Sequence, residues 1–183
     1  MKCLLLSIGL FFQIVSLSQT SKDPVEVTSE LQKKIKQDIE KEIPKLTQRL
    51  VQKKENAVHI EFITDSFRVE EFMAKWVELD YTDFGMKEAG YAAARLYDNL
   101  MNKYYKKLLA VLNGDDKKIL VQAQKAWLSF RDSETKLVEI ISKDEYSGGG
   151  TMQGLTEASE YFDLIKNRTI ALFEHYVRAT QNE

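Results

Sequence analysis

The sequence predicts an all-α fold: an antiparallel helical bundle with an N-terminal amphipathic helical arm behind a cleaved signal peptide. Three observations predict it. Helix breakers are scarce, with two prolines and eight glycines in 183 residues, and long tracts of Lys, Glu, Leu and Ala favour helix. Apolar residues return every three or four positions through most of the chain, the period of a helix with one buried face. The strongest breaks, Asn113-Gly114 and Gly148-Gly149-Gly150, fall between those periodic stretches, where turns belong.

The elements follow in order. Lys2, a nearly unbroken apolar run from Leu4 to Leu17, and the small residues Ser16 and Ser18 before Gln19 have the form of a secretory signal. The run is too short to span a bilayer. Cleavage at this point divides the chain into a signal at 1–18, an N-terminal extension at 19–79 and a helical domain at 80–179, and implies a periplasmic or secreted protein with no stable membrane span. Cys3, the single cysteine, leaves with the signal, so disulfides, thiolate chemistry and cysteine-based zinc sites are excluded from the mature chain.

Ser29 and Gln32 make a capping box for a first helix, whose stripe is Leu31, Ile35, Ile39, Ile43, Leu46 and Leu50. Pro44 is expected to kink or interrupt it. This arm either packs on the main body or forms a homo-oligomer contact. The imperfect alternation V-H-I-E-F-I from Val58 to Ile63 suggests a short strand or an irregular connector. Asp65 or Ser66 then caps a second helix, with Val69, Phe72, Met73, Trp76 and Val77 buried.

Thr82 or Asp83 starts the longest pattern: Met86, Ala89, Ala93, Leu96, Leu100, Tyr104, Leu108 and Val111, a helix facing a bundle core. Asn113-Gly114 ends it, and a tight turn predicts an antiparallel fourth helix from about residue 117 to 142. That helix would bury Leu120, Ala123, Trp127, Phe130, Leu137 and Ile141. The last helix carries Leu155, Ala158, Phe162, Ile165, Thr169, Leu172 and Tyr176. No strand precedes the glycine triplet and no Gly-Lys-Ser or Gly-Lys-Thr follows it, so it is a helix connection and not a phosphate cradle.

Charge is nearly balanced, 26 basic against 28 acidic side chains, which excludes the basic excess of a nucleic-acid-binding face. Residues 58–84 are locally acidic: Glu61, Asp65, Glu70, Glu71, Glu78, Asp80 and Asp83 stand against Arg68 and Lys75 alone. Such a surface is either solvated helix or an attractor for a cationic partner. His59 and His175, the two histidines, lie far apart in the chain, and no zinc-protease, nucleophile-elbow or Walker pattern is present. No catalytic residue, metal or cofactor is therefore expected. Paired carboxylates alone keep a hydrolase open. Asn167-Arg168-Thr169 matches a glycosylation triplet, but inside a helical stripe it is taken as chance.

The most unusual stretch is A-Q-K-A-W-L-S-F-R-D, residues 123–132. Gln124, Trp127, Arg131 and Asp132 share a helix, with Arg131 one turn beyond Trp127, close enough to lie against the indole. Arg168 adds a second cation at the border of the core. Two readings stand side by side. In one, the arginines satisfy buried partners and tie down the corner at Gly148, Gly149 and Gly150, with Trp127 wedged between the third and last helices; removing one would then cost about 3 to 5 kcal/mol. In the other, Arg131 or Arg168 faces a groove and holds an anion or a partner's carboxylate.

Together with Asp80-Tyr81-Thr82, Met86, the run from Leu96 to Leu109, the Gly148 to Thr151 loop and N-R-T-x-x-L from Asn167, this element resembles the lysozyme inhibitor LprI-like N-terminal domain, formerly a domain of unknown function. The resemblance covers about residues 80–176. It implies a small exported bacterial helical domain and, in one branch, a lysozyme-blocking lipoprotein. The cysteines that many relatives carry are replaced here by Ala89, Thr135 and the stretch from Ala158 to Tyr161. The functional expectation is an exported envelope protein that binds a protein partner, with lysozyme implied by the resemblance. A structural or assembly component of the envelope is the alternative.

Overall fold

The computed structural model describes residues 23–181; the expected signal at 1–18 lies outside the described residues. Among these residues six helices follow one another: α1 (Ser29–Gln52), α2 (Ala57–Leu79), α3 (Asp83–Val111), α4 (Gly114–Ile141), α5 (Asp144–Ser147) and α6 (Met152–Thr180). No strand occurs among the described residues.

Local caps account for the starts of the first three helices. Thr28, Asn56 and Thr82 each accept a hydrogen bond from the backbone N–H three residues on, at Leu31, His59 and Gly85, which satisfies an otherwise orphaned donor. Four expectations differ from the structure. The first cap is Thr28, not Ser29. Residues 57–63 are not a strand but the opening turns of α2, because Asn56 caps that helix and Val58 and Phe62 pack into the core one turn apart. Asp65 and Ser66 therefore lie inside α2, where the Ser66 hydroxyl donates back to the Phe62 carbonyl at 2.8 Å. Pro44 does not interrupt α1. It and Glu40, whose carbonyl loses its usual N–H donor, both lie on the exposed side, where solvent replaces the missing bond.

The arm packs on the body. The Val25 N–H donates to the Leu79 carbonyl at 2.8 Å, and Glu40 meets Arg68 farther along, so α1 runs antiparallel to α2. Ile35 and Ile39 are buried with Phe72, Trp76, Ala89 and Ala92. Contacts of Asp65 with Lys103 and of Glu70 with Tyr97 set α2 antiparallel to α3.

The tightest pairing joins α3 to α6, and these two helices run parallel: Thr151 bonds Asp83, Ala158 meets Gly90, and the Thr169 hydroxyl donates to the Tyr97 carbonyl at 3.2 Å. Small residues permit this. Ala93, Ala94 and Ala158 are fully buried, and a Cβ at Gly90 would stand 3.3 Å from that of Ala158. With so little side-chain bulk between them the two backbones approach until a side-chain hydroxyl on one reaches a carbonyl on the other. Beyond Tyr97, larger residues take over: Met101, Tyr104 and Leu108 close the far end with Leu120, Leu172 and Phe173.

As expected from the Asn113-Gly114 break, α4 reverses direction, but it is held less firmly than its stripe suggested. Only Leu120 and Gln124 are buried and Trp127 is half-buried, while Ala123 is exposed and so are Phe130, Leu137, Ile140 and Ile141. The reason is geometric. One face of α4 touches α3 and α6 around residues 120–127, and the rest of the helix stands beside α6 across an open groove, so its apolar side chains are not covered.

The acidic segment at 58–84 is largely neutralised inside the molecule. Lys103 joins Glu61 at 2.8 Å and also Asp65, Lys107 joins Glu61, Arg68 joins Glu40 at 2.6 Å, and Lys166 joins Glu70 at 2.6 Å. Asp80 is buried and accepts from the Thr82 hydroxyl at 2.6 Å. Burial works to raise the Glu61 carboxyl, but the hydrogen bonds from Lys103 and Lys107 outweigh it and hold the group below the usual carboxylate range. Burial likewise works to lower the Lys103 ammonium, and its bonds to Asp65 and Glu61 raise it instead.

Two outcomes are expected. Ala158→Leu overfills the α3–α6 contact and lowers unfolding free energy by about 1 to 3 kcal/mol, measurable by urea denaturation. The second concerns pH. A depressed carboxylate stabilises the fold above its ordinary value of 4.5 and loses that contribution as pH falls through its lower folded value; a raised lysine stabilises below 10.5 and loses it as pH climbs through its higher folded value. The melting temperature should therefore decline on both sides of that window, and Glu61→Gln should make the acid-side decline shallower.

Candidate functional site

The buried half of α4 is organised around Gln124. Its side-chain carbonyl accepts from Arg168 Nε at 3.0 Å and its amide donates to Met101 Sδ at 3.6 Å, so one residue ties α4 to both α6 and α3. One turn on, the Trp127 ring packs against core residues from α3 and α6. The guanidinium carbons of Arg131 and Arg168 lie 5.7 and 5.8 Å from the centre of that ring, within cation–π range. The spacing explains the grouping: residues 124, 127 and 131 lie three and four apart on one helical face.

The two arginines differ in their partners. Arg131 donates through Nε and Nη2 to Asp132 Oδ1 at 2.9 and 2.6 Å, and Asp132 is largely exposed. Arg168 is half-buried, has Gln124 as its hydrogen-bond partner and no carboxylate among the described residues; burial pushes its pKa down. A guanidinium in this state has donors to spare for an incoming carboxylate.

Gly148, Gly149 and Gly150 lie elsewhere. Arg168 is 18 residues beyond Gly150, about 27 Å along α6 at ~1.5 Å per residue, so the arginines do not tie down the glycine corner. That corner is held by its own residues. Gly148 closes α5 in a left-handed conformation with φ of 77°, the Gly149 N–H donates to the Ser147 hydroxyl at 3.1 Å, and Thr151 reaches Asp83. A side chain at Gly149 would collide with Asp144, at 2.8 Å from its Oδ1. The loop turns the chain from α4 into α6 and has no part in the Trp127 cluster.

Open grooves flank α4. On the α3 side, Asp98, Met101, Gln124, Leu128 and Arg131 line a cavity of about 340 Å³. On the α6 side, Tyr91, Phe130, Glu134, Glu157, Tyr161 and Asp163 are among those lining a cavity of about 310 Å³, which continues along α4 past Leu137 and Ile141 as a further 230 Å³. Helical spacing places Phe130 in the core and so hides the second groove; its signal in the sequence is the set of acids at Glu134, Glu157 and Glu160, one or two turns from aromatic residues on the same helices.

His59 packs against the core, whereas His175 is exposed beside Arg178. His59 meets Phe173 edge-on with ring centres 5.4 Å apart. Burial, with the charges of Arg178 and Arg168, pushes His175 down. Among the described residues no group of histidine, cysteine and acidic side chains is arranged to hold a metal ion, and no helix is long and apolar enough to cross a membrane.

A family model described as lysozyme inhibitor LprI matches residues 79–172. The chain belongs to the LprI lysozyme inhibitor family. No curated protein and no solved structure matches it. The matched span runs from the last residue of α2 through α3, α4 and α5 into α6, so it contains Gln124, Trp127, Arg131, Asp132, the glycine triplet and Arg168. LprI is a family of inhibitors and not of enzymes. Within this member, α1 and most of α2 form an additional layer against α3.

Half-burial sets the energetics of the cluster. Trp127→Ala should cost about 2 kcal/mol, less than the ~3 to 5 kcal/mol of a fully buried tryptophan. Arg168→Met strands an amide and no carboxylate, so its expected cost is about 1 kcal/mol; a loss near 4 kcal/mol in urea unfolding would mean that Arg168 has a buried acidic partner after all.

Proposed function

We propose that this LprI-family protein is exported to the periplasm or beyond and there binds and inhibits lysozyme, with the Trp127 cluster as its contact. Family membership supports the inhibitory role, and the apolar segment ahead of Gln19 supports export. The observation that carries the contact is the pair of guanidinium groups gathered on one indole, of which Arg168 has no carboxylate partner among the described residues and Arg131 has an exposed one. The Arg131–Asp132 pair joins a largely covered guanidinium to an exposed carboxylate, and a solvated acceptor of this kind is weakly held and exchanges for a better one. Lysozyme works through two carboxylates that flank the bond it cleaves, and arginine is the side chain best shaped to engage carboxylates in pairs. Trp127 holds both cations at low entropic cost, since the indole restricts them before a partner arrives. The acidic 58–84 segment, already satisfied by Lys103, Lys107 and Lys166, is a poorer candidate for the contact.

Lysis of a cell-wall suspension tests both parts. Chain purified from an exporting host should slow lysis by at least one lysozyme class when added at micromolar excess. Arg131→Glu should lose that inhibition while melting at the wild-type temperature. Unchanged lysis across several classes removes the inhibitory role, and full inhibition by Arg131→Glu removes the Trp127 cluster as its contact.

A further inference from the structure

We propose that the groove between α4 and α6 is a docking site for a protein segment that carries arginine or lysine next to an aromatic or aliphatic side chain. Five carboxylates stand along it, Glu134 and Glu139 from α4 and Glu157, Glu160 and Asp163 from α6, and no lysine or arginine lines it. None of the five forms an ion pair or a hydrogen bond within the described residues. Elsewhere the pattern is the opposite: where Glu40, Glu61, Asp65 and Glu70 face a neighbouring helix, each has a cation. Among the described residues, the groove is an interhelical acidic surface that the fold leaves unneutralised.

Its apolar side supplies a second and independent feature. Phe130, Leu137 and Ile141 are half or more exposed along α4, with Tyr91 and Tyr161 on the facing wall. Apolar residues in a row at a groove, rimmed by charge, are the make-up of a protein-binding surface. The field there is felt within the protein as well: burial raises the Tyr91 hydroxyl, and the charges of Glu157 and Glu139 raise it further.

The charge selects one occupant. Acids spread along two helices do not close around a single metal ion; they match cations spaced along a chain, which the tyrosine rings also attract. An anionic lipid surface would be repelled. A second copy presenting the same face would set carboxylate against carboxylate, which disfavours a symmetric dimer. This surface lies on the opposite flank of α4 from the groove lined by Arg131, and its chemistry is independent of whether lysozyme is the partner.

The test titrates the chain with an acetylated, amidated hexapeptide of alternating arginine and phenylalanine, followed by backbone amide shifts in NMR. The expected result is perturbation confined to α4 beyond Phe130 and the facing part of α6, lost in high salt. The glutamate–phenylalanine counterpart should be inert. The triple variant Glu134→Gln, Glu157→Gln, Glu160→Gln should bind at least about tenfold more weakly, ~1.4 kcal/mol, at an unchanged melting temperature, because these groups stabilise nothing inside the fold. Absence of binding, perturbation centred on the 58–84 acids, equal binding by the triple variant, or a concentration-dependent dimer that buries this face would each overturn the proposal. The lytic assay reports on lysozyme separately: inhibition that persists while the peptide fails to bind removes this groove alone.

Discussion

The close parallel contact of α3 with α6 is the constraint on which the remaining architecture rests. It exists because Gly90, Ala93, Ala94 and Ala158 leave almost no side-chain volume between the backbones, and its depth is shown by the Thr169 hydroxyl reaching the Tyr97 carbonyl. Helices joined by short connections pack antiparallel; a parallel pair needs an intervening element to carry the chain back. Here that element is α4, with α5 and the glycine loop completing the return. The place of α4 is therefore a consequence of the α3–α6 pairing, and so is its loose fit: it has to travel the length of the pair while its side chains find a seat only near Leu120, Gln124 and Trp127.

That loose fit creates the surfaces of interest. A helix seated along its whole length would have buried Phe130, Leu137 and Ile141 and sealed both flanking grooves. Instead the Gln124 bridge and the Trp127 ring fix one part of α4, and the remainder stands beside α6 with open space between. Thr135 lines the wall of that space, so nothing covalent draws α4 inward at this point. The Trp127 cluster thus has two roles that do not conflict. It anchors α4, and it presents guanidinium groups whose hydrogen-bonding capacity the fold only partly uses.

Charge is distributed by the same logic. On the α2 side of α3, acids meet Lys103 and Lys107 one helix away, and partial burial makes these pairs more favourable than isolated surface pairs. On the α4 side, acids from two helices face each other with no lysine between. The overall balance of the chain conceals this division, because the cations that would neutralise the α4–α6 groove are committed to α2 or point to solvent.

Much of the fold was legible in the sequence by itself: the all-α class, the reversal at Asn113-Gly114, the core stripes of α3 and α6, and the grouping of Trp127 with Arg131 all follow from helical periodicity and turn chemistry, which are local. Periodicity reports which face of a helix is apolar. It does not report whether a neighbour exists to cover that face, and for this reason the spacing predicts for α4 a full core stripe that it does not bury, while the imperfect alternation from Val58 to Ile63 hides the helix that a cap at Asn56 begins. The parallel sense of α3 and α6, the link from Arg168 to Gln124, the separation of both from the glycine loop and the unneutralised groove were decided by tertiary structure alone. Each depends on which residues distant in the chain come within a few ångströms of one another, and that is set by how closely small side chains allow two backbones to approach.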